Sequence, residues 1–266
     1  MVTAPHARAP RADRPDDVSD LLRLLVRDPG RPRLTWYGDD GERVELSGAV
    51  VENWVNKTTN LLVEEFDASP GTRILLDLPA HWRTTVWALA AWRVGATVVL
   101  VGDDDTAEPA ATRPDVVVTT RPGRWSGTRA DLVAVALPAL ARRFDADLPA
   151  GAVDAASAVM TYGDQVGWAP DPDPTATAVE GPDGYAVGHA DLVAQAPAPA
   201  GAAPGSRVLL RGTGAVADVL RALVAVLADD GSVVLLSPGR SRTLDEDGPA
   251  LERLVATERV TAAPVH

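Results

Sequence analysis

Short, unbroken runs of Val, Ile and Leu alternate with stretches whose apolar residues return every three or four positions, and this alternation constrains the fold most. Ile74–Leu78 and Thr97–Val101 enclose a helical pattern from His81 to Val94 that stops at Gly95. Arg207–Arg211 and Ser232–Leu236 enclose a second, from Ala215 to Ala228. Runs that are apolar at every position suit strands buried on both faces, and a strand–helix–strand order joins parallel neighbours by a crossover. The expected fold class is α/β, with mainly parallel sheets and helices on both faces.

Other segments extend the pattern. Leu34–Tyr37 and Arg43–Leu46 flank the turn-forming string Gly38-Asp39-Asp40-Gly41 and read as a hairpin. Ser47 can cap a helix reaching Phe66, because Val50, Val51, Trp54, Val55, Thr58, Leu61 and Leu62 fall on one face. Asp115–Thr119, Asp131–Val135 and Thr175–Val179 read as buried strands, and Ala155–Tyr162, Gly188–Gln195 and Leu251–Glu258 as helices. The expected organisation is a disordered tail over 1–17, a first α/β subdomain over 18–143, a connector rich in Asp, Pro, Ala and Gly over 144–174, and a second α/β subdomain over 175–266.

Charge and cysteine usage remove several classes of function. The net charge is -12 over 266 residues, and an acidic surface repels phosphate backbones and anionic lipid, so neither nucleic acid nor membrane is an expected partner. There is no cysteine, hence no thiolate nucleophile, disulfide or Cys-ligated metal. No stretch has the ~18 apolar residues of a spanning helix, and Met1–Asp17 lacks an apolar signal core, so the expected location is the cytoplasm. The bias toward Arg, Ala, Asp and Pro fits a high-GC actinobacterial source. No G-x-S-x-G, H-E-x-x-H or Walker string supports a serine hydrolase, zincin or P-loop kinase.

Specific strings at the joints carry a family resemblance. Val55-Asn56-Lys57, Pro70-Gly71-Thr72-Arg73-Ile74, Leu78-Pro79, the run Ala88–Leu100, Gly205–Leu210 and Gly231–Leu236 stand in the order and spacing of the amino-terminal part of the adenylate-forming superfamily. That superfamily includes acyl-CoA synthetases, luciferases and peptide-synthetase adenylation domains. The resemblance implies the fold of that amino-terminal domain, and ATP or AMP as the nucleotide. Relatives hold the ATP phosphates with a hydroxyl-rich loop ending Pro-Lys-Gly, because backbone and hydroxyl donors plus a cation match the phosphate charge.

Here His189-Ala190-Asp191-Leu192 resembles the family's following helix start, so Pro182-Asp183-Gly184 takes the place of Pro-Lys-Gly. Asp183 stands where the lysine belongs, and Ala178-Val179-Glu180-Gly181 replaces the hydroxyl-rich string. Two unit charges about 4 Å apart interact by roughly 4 kcal/mol at an effective dielectric near 20, so reversing one is a large change. Lys57, the only lysine, lies on a helix elsewhere. Arg211-Gly212-Thr213-Gly214-Ala215 carries no aromatic ring or histidine where relatives line the acyl pocket, and the sequence ends at His266, short of the family's later motifs.

The expectation is a shortened relative without adenylating activity alone, a pseudoenzyme acting as a ligand-binding or interaction module. Its candidate binding residues are Gly181, Pro182, Asp183, Gly184, His189, Gly212 and Gly214, with no catalytic residue, metal site or firm cofactor assigned. They would frame a crevice for a small apolar or nucleotide ligand, and exposed apolar surface would be covered by a protein partner or a second copy. The alternative is an active or partner-assisted AMP-forming acyl-CoA ligase. A second alternative is an NADP-binding protein, since Gly212-Thr213-Gly214-Ala215-Val216-Ala217 follows a strand and opens a helix, with Arg240 and Arg242 beyond the next strand. A tight strand-to-helix turn is the plainer reading of those glycines. Asp103, Asp104 and Asp105 read as a solvated turn and helix cap rather than a metal site, His189 as a structural or capping residue rather than a base, and Trp82, Trp87 and Trp92 as core or interface packing. His81 and Trp82 stand at the mouth of the first βαβ unit, where ligands often bind.

Overall fold

The computed structural model describes residues 14–102 and 113–263, so Asp103–Asp105 and most of the expected tail lie outside the described residues. Helix α1 (Val18–Leu25) is capped by Asp17 and buries Leu21, Leu22 and Leu25. Strands β1 (Pro32–Tyr37) and β2 (Arg43–Ser47) form the expected hairpin, and Ser47 caps the long helix α2 (Gly48–Phe66). Strands β3 (Arg73–Asp77) and β4 (Thr97–Leu100) enclose α3 (Trp82–Arg93) as a parallel βαβ unit. Then come β5 (Val116–Thr119), β6 (Asp131–Ala134), the short β7 (Val153–Asp154) and α4 (Ala155–Ala158). The rest comprises β8 (Thr177–Glu180), β9 (Ala186–Gly188), α5 (His189–Leu192), β10 (Arg207–Arg211), α6 (Val216–Ala228), β11 (Ser232–Leu236), α7 (Pro238–Glu246) and α8 (Gly248–Thr257).

Two sheets result. One has the order β7-β6-β5-β3-β4-β8-β9 and the other β10-β11-β1-β2. Every pairing is parallel except the hairpins β8–β9 and β1–β2. Alternate residues of the buried strands face opposite ways, as the two-residue repeat requires. Ile74, Leu76, Val98 and Val116 join a shared core with Leu34, Val208 and Val233 of the other sheet, into which α1, α2, α3 and α6 also pack. Leu75, Val99 and Val117 face outward under Trp125, while Leu209, Val234 and Leu236 are covered by Leu244 of α7 and Leu254 of α8.

The division by sequence halves does not follow the sheets. β8 and β9, from the second half, complete the larger sheet, and β1 and β2, from the first, complete the smaller. Strand partners are set by the three-dimensional crossover, which a linear reading of Pro- and Gly-rich connectors does not show. The expected tail is also partly ordered: Arg14 donates to the carbonyls of Val193 (3.2 Å) and Ala196 (2.7 Å) and pairs with Asp229 at 3.2 Å. Polar contacts of Arg14 and burial of Pro15 fix this segment. The helix expected over Gly188–Gln195 is only His189–Leu192, because Gly188 pairs with Thr177 in the β8–β9 ladder. The last helix starts at Gly248, earlier than Leu251, with Asp247 as its cap and a proline in its first turn.

Candidate functional site

The segment in the place of the phosphate loop is a closed hairpin. The Gly181 N–H donates to the Tyr185 carbonyl at 2.8 Å, and the Tyr185 N–H to the Pro182 carbonyl at 3.1 Å. A turn of 3-10 helix over Pro182–Gly184 fills the tip, and Gly184 adopts a φ of 75° that favours glycine. These N–H groups serve the chain itself. Glu180, at the base of the hairpin, makes a two-pronged ion pair with Arg73 at 2.9 and 2.7 Å. The Arg73 hydrogen bond holds the Glu180 carboxyl below its ordinary pKa despite partial burial. This carboxylate is therefore turned to a cation of the sheet and does not stand over an open loop.

His189 opens α5 and is buried, with its N–H bonded to the Ala176 carbonyl at 3.0 Å. Among the described residues its Nε2 has no hydrogen-bond partner, and burial lowers its pKa against weaker opposing contributions from the Gly95 and Ala96 backbone and Asp173. Gly212 sits in the β10–α6 turn, where a Cβ would lie 2.5 Å from the Leu236 carbonyl oxygen and 3.2 Å from Ala80 Cβ. Its N–H donates to Ser241 Oγ at 3.2 Å. Gly214, by contrast, is exposed with open space around it.

A cavity of about 130 Å³ separates the hairpin from α6. Tyr185, just before β9, and Val187 within it line the cavity on one side, Ala217, Leu220 and Arg221 line it from α6, and Trp92 from α3. The structure thus brings the two expected segments to one cavity, but through neighbouring side chains, since Gly181, Pro182, Gly184, His189, Gly212 and Gly214 are absent from its lining; the side chain of Asp183 lies outside the described residues. Tyr185 and Arg221 went unnoticed in the sequence. The only signal was an aromatic residue directly after the altered loop and an arginine one helical turn beyond Ala217.

Other polar groups are committed to structure. Asp39 of the β1–β2 turn accepts from Ser237 Oγ and, at 2.9 Å, from the Arg240 N–H. The first turn of α7, where an NADP phosphate would need Arg240 and Arg242, therefore already faces a carboxylate. A Cβ on Gly239 would lie 2.6 Å from Asp39 Oδ1. His81 caps α3 by accepting from the Arg83 N–H at 3.0 Å, and its ring meets Trp36 edge-on at 4.4 Å. Burial, reinforced by Arg83, pushes its pKa down to about 3, so His81 is neutral. Lys57 binds the Tyr162 carbonyl at 2.7 Å and Asp164 at 2.6 Å, pinning the connector to α2. Among the described residues no group of three or more His, Asp or Glu could hold a metal ion, and no helix is long and apolar enough to cross a membrane.

No protein-family model matches the sequence. A Mycobacterium tuberculosis protein described as a TIGR03089 family protein is 35% identical over 242 residues, covering 90% of this chain and 93% of its own. Among solved structures, the acyl-CoA synthetase of Brucella canis superposes with a TM-score of 0.70 at 17% identity, over 98% of this chain and 48% of that one. The N-terminal domain of FACL13 from Mycobacterium tuberculosis gives 0.67 at 13% identity, over 94% of this chain and 62% of that one. A benzoate CoA ligase from Burkholderia xenovorans gives 0.61 at 15% identity, over 83% of this chain and 45% of that one. The chain spans about half the length of these enzymes, and their likeness establishes the fold expected from the sequence strings. With 35% identity across nine-tenths of its length to the mycobacterial protein, the chain belongs to the TIGR03089 family and carries the fold of the amino-terminal part of acyl-CoA synthetases.

Proposed function

We propose that this protein is a ligand-binding or interaction module on an acyl-CoA synthetase fold, a pseudoenzyme that does not activate carboxylates with ATP by itself. The Gly181–Gly184 hairpin carries the reading: its flanking N–H groups are spent within the turn, and position 183 is an aspartate where a cation would meet phosphate. The apolar cavity behind the hairpin supports the binding role. A protein partner or a second copy would make its apolar contacts at exposed side chains such as Trp168 (68%) and Leu140 (92%). The absence of a spanning helix among the described residues and the charge of -12 support a cytoplasmic location.

ATP–pyrophosphate exchange with a panel of aliphatic and aromatic acids, run beside sedimentation equilibrium, tests both halves. The expected outcome is exchange no higher than a blank and a mass above one chain. Exchange that depends on one of the acids would establish the ligase reading instead, and a strict monomer would remove the self-association arm.

A further inference from the structure

The cavity between the β8–β9 hairpin and α6 differs in character from wall to rim. Its walls are the buried side chains of Trp92, Leu100, Val179, Leu192 and Leu220. The charged groups stand at the exposed rim: Asp191 and Arg221 line the opening, and Arg221 is held by Asp218 at 2.9 Å. Asp191 in turn accepts from Gln195 Nε2 at 2.8 Å. The rim therefore carries two carboxylates and one guanidinium, which is already paired with Asp218. An incoming carboxylate would have to share Arg221 with Asp218 and meet the second negative charge of Asp191, and burying a charge that is not fully paired is costly. The Tyr185 hydroxyl, also at the opening, makes no hydrogen bond within the described residues.

Size narrows the ligand further. About 130 Å³ is well short of the roughly 300–1,000 Å³ of sites for drug-sized ligands, which leaves no room for a nucleotide. It is close to the ~150 Å³ apolar cavity that accepts benzene in another protein.

From this geometry we infer that the cavity binds a small, neutral, ring-sized molecule, an aromatic or alicyclic compound with at most a hydroxyl group, and discriminates against carboxylic acids. The ring lies between Trp92 and Leu220, and a hydroxyl reaches Tyr185 at the rim. The inference rests on the binding-module reading and assigns its ligand class, which is the reverse of what a carboxylate-activating enzyme would select.

Fluorine NMR of the full chain at neutral pH tests it, with 4-fluorophenol as the neutral probe and 4-fluorobenzoate as the charged one. The expected result is saturable broadening of 4-fluorophenol, reversed by toluene, with 4-fluorobenzoate at least about tenfold weaker. Ala217→Phe, which fills the cavity from α6, should weaken 4-fluorophenol by at least about tenfold. Val187→Phe should do the same from the opposite wall. The comparison between the two probes uses the unsubstituted chain and does not depend on either variant folding. No saturable binding of 4-fluorophenol, equal or tighter binding of 4-fluorobenzoate, or full binding by both folded variants would each overturn the inference. None of those results would create pyrophosphate exchange, and exchange would not by itself fill the cavity, so the two claims fail separately.

Discussion

Glu258 shows how single residues hold the smaller sheet. Its carboxylate accepts from the Tyr37 hydroxyl at 2.6 Å, Arg43 Nε at 2.9 Å and an Arg207 terminal nitrogen at 2.5 Å. Burial alone would raise its pKa, but these three donors more than offset it and bring it down to about 2. The folded value lies below the ordinary ~4.3, so the stabilisation is complete above that pH and is lost as pH falls through about 2. Glu258→Gln is expected to cost about 3 kcal/mol at neutral pH and to flatten the dependence of stability on pH between about 4.3 and 2. Urea unfolding across that range checks both. The near-exclusive use of arginine was visible in the sequence, and its forked donors suit such multi-point contacts. The partners were not visible, because Arg43 and Glu258 are 215 residues apart. Asp77 is similar: burial is outweighed by hydrogen bonds from Arg121, Thr119 and Trp125, and its pKa is lowered. Nothing local to Asp77 announces a donor 44 or 48 residues away.

At the scale of elements, the glycines of the β10–α6 turn separate into two roles. Gly212 touches the Leu236 carbonyl and Pro238 so closely that any Cβ forces the backbone to shift, while a Cβ on Gly214 meets nothing. Gly212→Ala is therefore expected to destabilise by about 2 kcal/mol, an overpacking cost, and Gly214→Ala to change stability by less than about 0.5 kcal/mol. Thermal unfolding of the two variants checks the contrast, and equal effects would contradict it. The G-x-G string was legible as a turn, but which glycine packs and which is free depends on the neighbouring strand. Long periodic elements such as α2, α3 and α6 were plain in the sequence. Helix α7 was not, because it buries only Ser241 and Leu244 and so lacks an apolar stripe, though Ser237-Pro238 is a helix start by capping. The β8–β9 hairpin was also missed. Its second strand has three residues, and its turn was legible only as a damaged version of another loop.

Across the whole molecule, the two sheets exchange strands between the halves of the chain and close over one continuous core. This explains why large apolar side chains are seldom exposed: among the described residues only Val50, Leu140, Met160 and Trp168 are. These exposed side chains lie on α2 and in the segments between β6 and β8. The overall class and most strand positions followed from apolar runs, whereas sheet order, which depends on crossovers, did not. The central proposal is that this fold does not hold ATP phosphates by itself. Thermal unfolding with and without ATP plus magnesium, and with AMP, tests that claim most directly, since a ligand at 100 times its Kd stabilises by about 2.7 kcal/mol. The account predicts an unchanged Tm with either nucleotide at millimolar concentration; a saturable rise with ATP or AMP would contradict it and restore the Gly181–Gly184 hairpin as a phosphate site.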